Sequence, residues 1–259
     1  MLTKEAKRTL VVALIMCLVC SVLVAGVAVG LKSQQLANKT LDRNKNILRV
    51  AGLYSGSDKA EVQRVFSQFT VKLVDLRSGK YATEAELAAA GIKVDTYDQQ
   101  QAAKNPQLSE SLAGNDPAGI LRLPHYAKVY LLEKAGTVEL MVLPISGYGL
   151  WGTLYGFIAL QGDANTIAGF GFYQHQETPG LGAEVDNPKW KALWPGKQAY
   201  AADGSVGVQV VKGPAQHPQE IDGLSGATLT TRGVDHLVQF WLGERGFARF
   251  LANIKKGEA

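Results

Sequence analysis

Cysteine is nearly absent from this chain of 259 residues: Cys17 and Cys20 are the only two, and both lie inside an apolar run near the start. The remainder therefore has no disulfide framework, no thiolate metal site and no dithiol, so redox chemistry there needs a borrowed cofactor. In its apolar setting the Cys17-x-x-Cys20 spacing reads as two small helix residues rather than a redox pair. Histidine is also sparse. His125, His175, His217 and His236 show no metal-ligand spacing, and no metal site is expected. His175 stands beside a loop of interest but reads as an exposed loop histidine. The net charge of +4 is spread without a dense basic run, so nucleic-acid binding has no support. A G-x-S-x-G elbow, a P-loop, internal repeats and low-complexity tracts are all missing, which removes the common hydrolase and NTPase readings.

One long uncharged run is present. From Leu10 to Leu31, 22 residues carry no formal charge; at about 1.5 Å per residue they cover about 33 Å, enough for a hydrocarbon core of about 30 Å. A signal peptide has a shorter apolar core and a cleaner small-x-small cleavage site than Ala28-Val29-Gly30, so the run reads as an uncleaved anchor. Lys4, Lys7 and Arg8 precede it, while Lys32, Lys39, Arg43, Lys45 and Arg49 follow. This balance does not favour export of the C-terminal part, although long domains translocate largely regardless of such charges.

The pattern divides the chain into a tail (1–9), a transmembrane helix (10–31), a helical stalk (32–50), the first part of a soluble domain (51–125) and its core (126–259). Val62, Val65, Phe66 and Phe69 predict a helix over 58–69, and 71–76 a strand. Thr83-Glu84-Ala85-Glu86 is a capping box opening a short helix that stops at Gly91. Residues 98–124 read as a surface loop or short irregular helices. Around Ala135-Gly136, 126–133 and 137–143 form a hairpin signal. The pattern repeats with 153–161 and 166–172. Asn187-Pro188 caps a helix through Trp194, 206–211 is a strand, and a helix from about Thr230 to Ile254 closes the domain. Strands joined by short turns, with helices around them, predict an α+β fold with a largely antiparallel sheet.

Three glycine-rich segments interrupt this plan: Ser146-Gly147-Tyr148-Gly149-Leu150-Trp151-Gly152, Glu177-Thr178-Pro179-Gly180-Leu181-Gly182 and Ser225-Gly226-Ala227-Thr228-Leu229-Thr230-Thr231. The third opens the apolar helical face of Val234, Leu237, Val238, Trp241 and Leu242, with Thr230 or Thr231 as its N-cap. Free amides and the positive end of the helix dipole favour an anion there. Glycines beside Leu150, Trp151 and Leu181 suit a flat aromatic ring, and the hydroxyl row suits a phosphate. A Rossmann reading fails, because a strand follows Gly147-x-Gly149-x-x-Gly152 where a helix is required.

Asp222-Gly223-Leu224-Ser225-Gly226-Ala227-Thr228 resembles the flavinylation motif D-x-x-[ST]-G-A-[ST] of the FMN-binding domain family. The other two segments resemble that family's further cofactor loops. Over nearly all its length, including the anchor and Leu41 to Leu48, the chain is similar to the C subunits of bacterial Na+-translocating NADH:quinone oxidoreductases. The resemblance implies one covalent FMN, esterified through its phosphate to Thr228 Oγ by a separate flavin transferase that uses FAD and Mg2+. It implies an electron-relay subunit without a complete active site or catalytic residues of its own, in a bacterial inner-membrane complex, with the soluble domain periplasmic. Its partners would be the other subunits, the transferase and the membrane.

By the same resemblance Ser225, Gly226 and Ala227 surround the attachment point, and Leu150, Trp151 and Leu181 cover the ring unless Trp151 packs in the core. Thr178, Gly180 and Gly182 offer hydrogen bonds to the ring's polar edge. Asp222 orients the threonine or a metal, or is a turn residue. Glu177 tunes the flavin potential or caps its loop. The anchor holds no carboxylate and is not expected to coordinate Na+. The alternatives are the equivalent flavin subunit of a ferredoxin:NAD+ oxidoreductase, to which the segment from Tyr54 to His125 and the stalk are less suited, and a non-redox anchored binding domain.

Overall fold

A computed structural model describes residues 3–54, 56 and 58–259. It divides into a first unit ending at Arg43 and a second, Asn44–Ala259. The first consists of most of helix α1 (Lys4–Val50), so the expected span and stalk form one uninterrupted helix. Its apolar side chains cover all sides and are exposed, Leu18 at 64% and Val29 at 74%. Among the described residues α1 is the one helix long and apolar enough to cross a membrane, and an all-round apolar surface left uncovered by protein is what lipid accommodates.

In the second unit, α1 ends in a Schellman motif. Gly52 takes φ +71°, its amide bonds to Arg49 O at 3.0 Å and Leu53 N–H returns to Leu48 O at 2.9 Å, as a left-handed glycine allows. Helix α2 (Lys59–Phe66), capped by Asp58, leads into β1 (Phe69–Asp75), so Phe69 opens the strand instead of extending the helix. Then come β2 (Lys80–Tyr81), α3 (Glu84–Ala89) behind the expected Thr83/Glu86 capping box, and α4 (Gln99–Lys104). The segment read as loop also holds a strand pair, β3 (Ser109–Ser111) and β4 (Arg122–Pro124), too short to show alternation.

The main sheet adds β5 (Tyr126–Lys134), β6 (Thr137–Tyr148), β7 (Thr153–Gln161) and β8 (Ile167–Gln174), in the order β2-β1-β5-β6-β7-β8. Every neighbouring pair is antiparallel. Between β5 and β6, Ala135 and Gly136 have φ of 50° and 79°, the two positive values of a type I′ hairpin turn. After β8 come a 3₁₀ turn (Gly182–Asp186), α5 (Pro188–Lys191), and β9 (Gln209–Val210) paired in parallel with β10 (Glu220–Ile221). Thus α5 stops short of Trp194, and the strand expected over 206–211 keeps two residues.

Helix α6 (Thr228–Leu242) lies against β6. Met141, Leu143 and Ile145 alternate inward from β6 and are at most 3% exposed, and Val234, Leu237, Val238, Trp241 and Leu242 are at most 1% exposed. At this contact Trp241 Nε1 donates to Ser146 O at 2.7 Å, and a Cβ on Gly147 would overlap Leu237. The closing helix is broken in two, with α7 at Ala248–Lys256. Gly243 is the extended C-cap of α6, and Gly246 lies so close to the Trp241 backbone that a Cβ would clash. The apolar rhythm continues through Phe247, Phe250 and Leu251, which is why the break escaped a reading by periodicity.

Candidate functional site

The apolar phase of α6, followed back from Trp241 through Val238 and Val234, puts Thr231, Thr230 and Ala227 on the buried side and Thr228 on the exposed side. Burial follows this phase: Thr230 and Thr231 are buried, Thr228 exposed. The N-cap is Ala227, not Thr230 or Thr231, and no side chain caps the helix. The helix starts early because the chain turns just before it. Ala227 N–H bonds to Leu224 O at 3.1 Å, with Gly226 at φ +73° in the turn position that favours glycine.

Each hydroxyl of the row then has its own use. Thr231 Oγ1 accepts from Leu224 N–H at 2.9 Å and folds the turn back on the helix. Thr230 Oγ1 donates to Glu177 Oε2 at 2.5 Å. Thr228 is left facing outward. Thr231 N–H is the first to bond in helical fashion, to Ala227 O at 2.9 Å, so the amides before it lack intrahelical acceptors. An alanine cap cannot satisfy them, whereas an incoming anion can.

Glu177 joins the three glycine-rich segments. It is 5% exposed, and its Oε1 accepts from Leu150 N–H at 2.9 Å and Trp151 N–H at 3.1 Å. Its Oε2 takes the Thr230 hydroxyl. Behind it, Glu177 N–H bonds to His175 Nδ1 at 3.2 Å, and His175 Nε2 lies 2.7 Å from Asp186 Oδ2. An Nδ1 that accepts leaves the proton on Nε2, which donates to Asp186. Lys191 Nζ completes the chain at 2.9 Å from Asp186 Oδ1. Burial alone would raise the Asp186 carboxyl, but hydrogen bonds from Lys191 and His175 hold it below the ordinary range.

The expected site residues fall into two groups. Leu150 (39% exposed), Trp151 (61%), Leu181 (44%) and Leu229 (53%) stand open on the three glycine-rich segments, so Trp151 is no core residue. A Cβ on Gly226 would come within 3.1 Å of Leu181 Cδ2, which puts the second loop against the third. Ser225, Gly226, Thr178 and Gly180 are also exposed. Gly182 and Ala227 are buried, and Thr178 O is taken by Leu181 N–H and Ala183 N–H, both at 3.1 Å. Asp222 Oδ1 accepts from Ala215 N–H at 2.7 Å and its carbonyl from Trp190 Nε1 at 2.8 Å. The loop tie made by Thr230 and the support given by His175, which is not a free loop histidine, belong to no motif; the helical phase is the signal in the sequence for Thr230.

This arrangement fits a phosphorylated flat ring: an outward hydroxyl among unbonded amides, bordered by exposed aromatic and aliphatic side chains. That is the pattern of an FMN-binding domain, and the family model so described matches residues 149–243. The C subunit of the Na(+)-translocating NADH-quinone reductase of Pseudomonas aeruginosa is 53% identical, over 99% of this chain and 98% of that one. Its counterpart from Yersinia pestis is 43% identical, over 96% and 93%. Among solved structures, NqrC of Shewanella oneidensis superposes with a TM-score of 0.76 at 33% identity, over 85% of this chain and 99% of that one. The chain belongs to the family of the C subunits of the Na(+)-translocating NADH-quinone reductases.

Proposed function

We propose that the chain is the flavin-bearing electron-relay subunit of a Na+-pumping NADH:quinone oxidoreductase, with one FMN joined through its phosphate to Thr228 Oγ. The exposed Thr228 at an uncapped helix start, in a set of tied loops that also expose Leu150, Trp151 and Leu181, carries this reading. When bound, FMN supplies the ability to accept and pass on electrons. The start of α6 holds the negative charge of the phosphodiester with its amides and dipole. Gly226 leaves room for the ester, and Leu150, Trp151 and Leu181 cover the ring. The exposed Thr178 and Gly180 supply hydrogen bonds to its polar edge, while Ser225 and Ala227 border the attachment point.

Attachment is the work of a flavin transferase with FAD and Mg2+. The Thr228 Oγ–P bond forms as the pyrophosphate P–O bond of FAD breaks, AMP leaves, and the hydroxyl proton passes to a base or to water. The α1 run crosses the bacterial inner membrane once, with the soluble domain periplasmic, where a covalent bond retains a cofactor that cannot be rebound from solution. The other reductase subunits donate and accept the electrons. Peptide mass analysis of the full chain made together with the transferase tests this. The tryptic fragment Gly213–Arg232 should carry FMN less one water, and Thr228→Ala should remove ultraviolet fluorescence from the denatured band. Fluorescence retained in Thr228→Ala would refute the attachment.

A further inference from the structure

Both carboxylate oxygens of Glu177 are engaged by the neighbouring loops: one holds two amides of the first glycine-rich segment, and the other holds the Thr230 hydroxyl of the third. A buried carboxylate satisfied by three donors from two other segments fixes their relative placement, since moving any of them strands a charge away from water. The motif glycines belong to the same device. A Cβ on Gly149 would overlap Glu177 Oε1, and one on Gly182 would overlap both Glu177 Oε2 and Thr230 Oγ1. One turn into α6, a Cβ on Gly233 would overlap Tyr148 O. These glycines are required by contacts among the loops themselves.

We infer that Glu177 is a positioning residue that assembles the acceptor site before flavin arrives. Through Thr230, two residues after Thr228 on the opposite side of α6, it sets where the Thr228 hydroxyl points. Through the Leu150 and Trp151 amides it sets where the ring will lie. The inference rests on attachment at Thr228, and its test separates the two.

Full-length Glu177→Ala, Glu177→Gln, Thr230→Val and Thr228→Ala chains are incubated with purified flavin transferase, FAD and Mg2+. Covalent fluorescence is followed against acceptor concentration, and circular dichroism checks the fold. A displaced nucleophile lowers kcat by about 100-fold in Glu177→Ala, with KM for the acceptor little changed. Gln keeps an oxygen for both amides and an amide that donates to Thr230 Oγ1, so Glu177→Gln stays within about tenfold of wild type. Thr230→Val, which keeps the volume and removes the tie, falls between them and decides the matter if Glu177→Ala does not fold. Wild-type rates in both Glu177→Ala and Thr230→Val, or in Thr230→Val alone where Glu177→Ala does not fold, overturn the positioning role. A Gln variant as slow as Ala also overturns it, because charge and not geometry would then be the requirement. Covalent flavin in Thr228→Ala refutes the attachment itself, whatever Glu177 does.

Discussion

The N-terminal run of α1 and the rim around Thr228 both leave large apolar side chains uncovered, and they do so for opposite reasons. Along the run, among the described residues, exposure is continuous and all-round, Leu14 at 63% and Val24 at 69%. At the rim four exposed side chains, Leu150, Trp151, Leu181 and Leu229, belong to segments tied together by the buried Glu177, which takes the Leu150 and Trp151 amides and the Thr230 hydroxyl. A surface meant for lipid needs only composition, because the solvent it meets has no shape. A surface meant for one flat ligand needs placement, so its backbone is fixed from below while its side chains stay free.

A rim that held its ligand without the nucleophile would be no more specific than the lipid-facing run, so Thr228→Ala is expected to lose all covalent flavin, read on a denaturing gel. Next in size is removal of residues 4–31, expected to shift the chain from the membrane pellet to the supernatant after ultracentrifugation. Retention in the pellet would mean that the folded domain binds membrane independently.

Tryptophan substitutions contrast core and rim. Trp241, 1% exposed and bonded to Ser146 O, should cost about 3–5 kcal/mol when changed to Ala, seen in urea denaturation. Trp151→Ala should change stability by no more than about 0.5 kcal/mol while altering the flavin absorption band. A large loss of stability there would make Trp151 structural.

The smallest effect concerns the support behind the second loop. Asp186 is held below its ordinary carboxyl range, so its contribution is complete above the unfolded Asp value of about 3.9 and is lost as pH falls through the lower folded value. Asp186→Asn should therefore destabilise the chain slightly near neutrality. The difference from wild type should close in acid, measured as melting temperature against pH.

Features governed by near neighbours were legible. The Ala135-Gly136 turn, the Thr83/Glu86 capping box and the Asn187 cap follow from residues within four positions of one another. Strand order and the broken closing helix were less so. Gly243 and Gly246 interrupt a rhythm that the flanking apolar residues keep, and only the approach to the Trp241 backbone shows why. The β3–β4 pair was invisible because three residues per strand carry no periodicity.

Composition and spacing suffice to give this chain a membrane-length apolar helix and, through Asp222 to Thr228, a motif ending in a threonine at a helix start. Both are short-range properties. The helical phase of α6 already turns Thr228 outward and Thr230 inward; only the folded arrangement makes Glu177 the brace between the loops and the acceptor of the Thr230 hydroxyl. The bond between Glu177 and Thr230 joins residues 53 positions apart, and no local rule of helix or turn specifies which distant carboxylate a buried hydroxyl will meet.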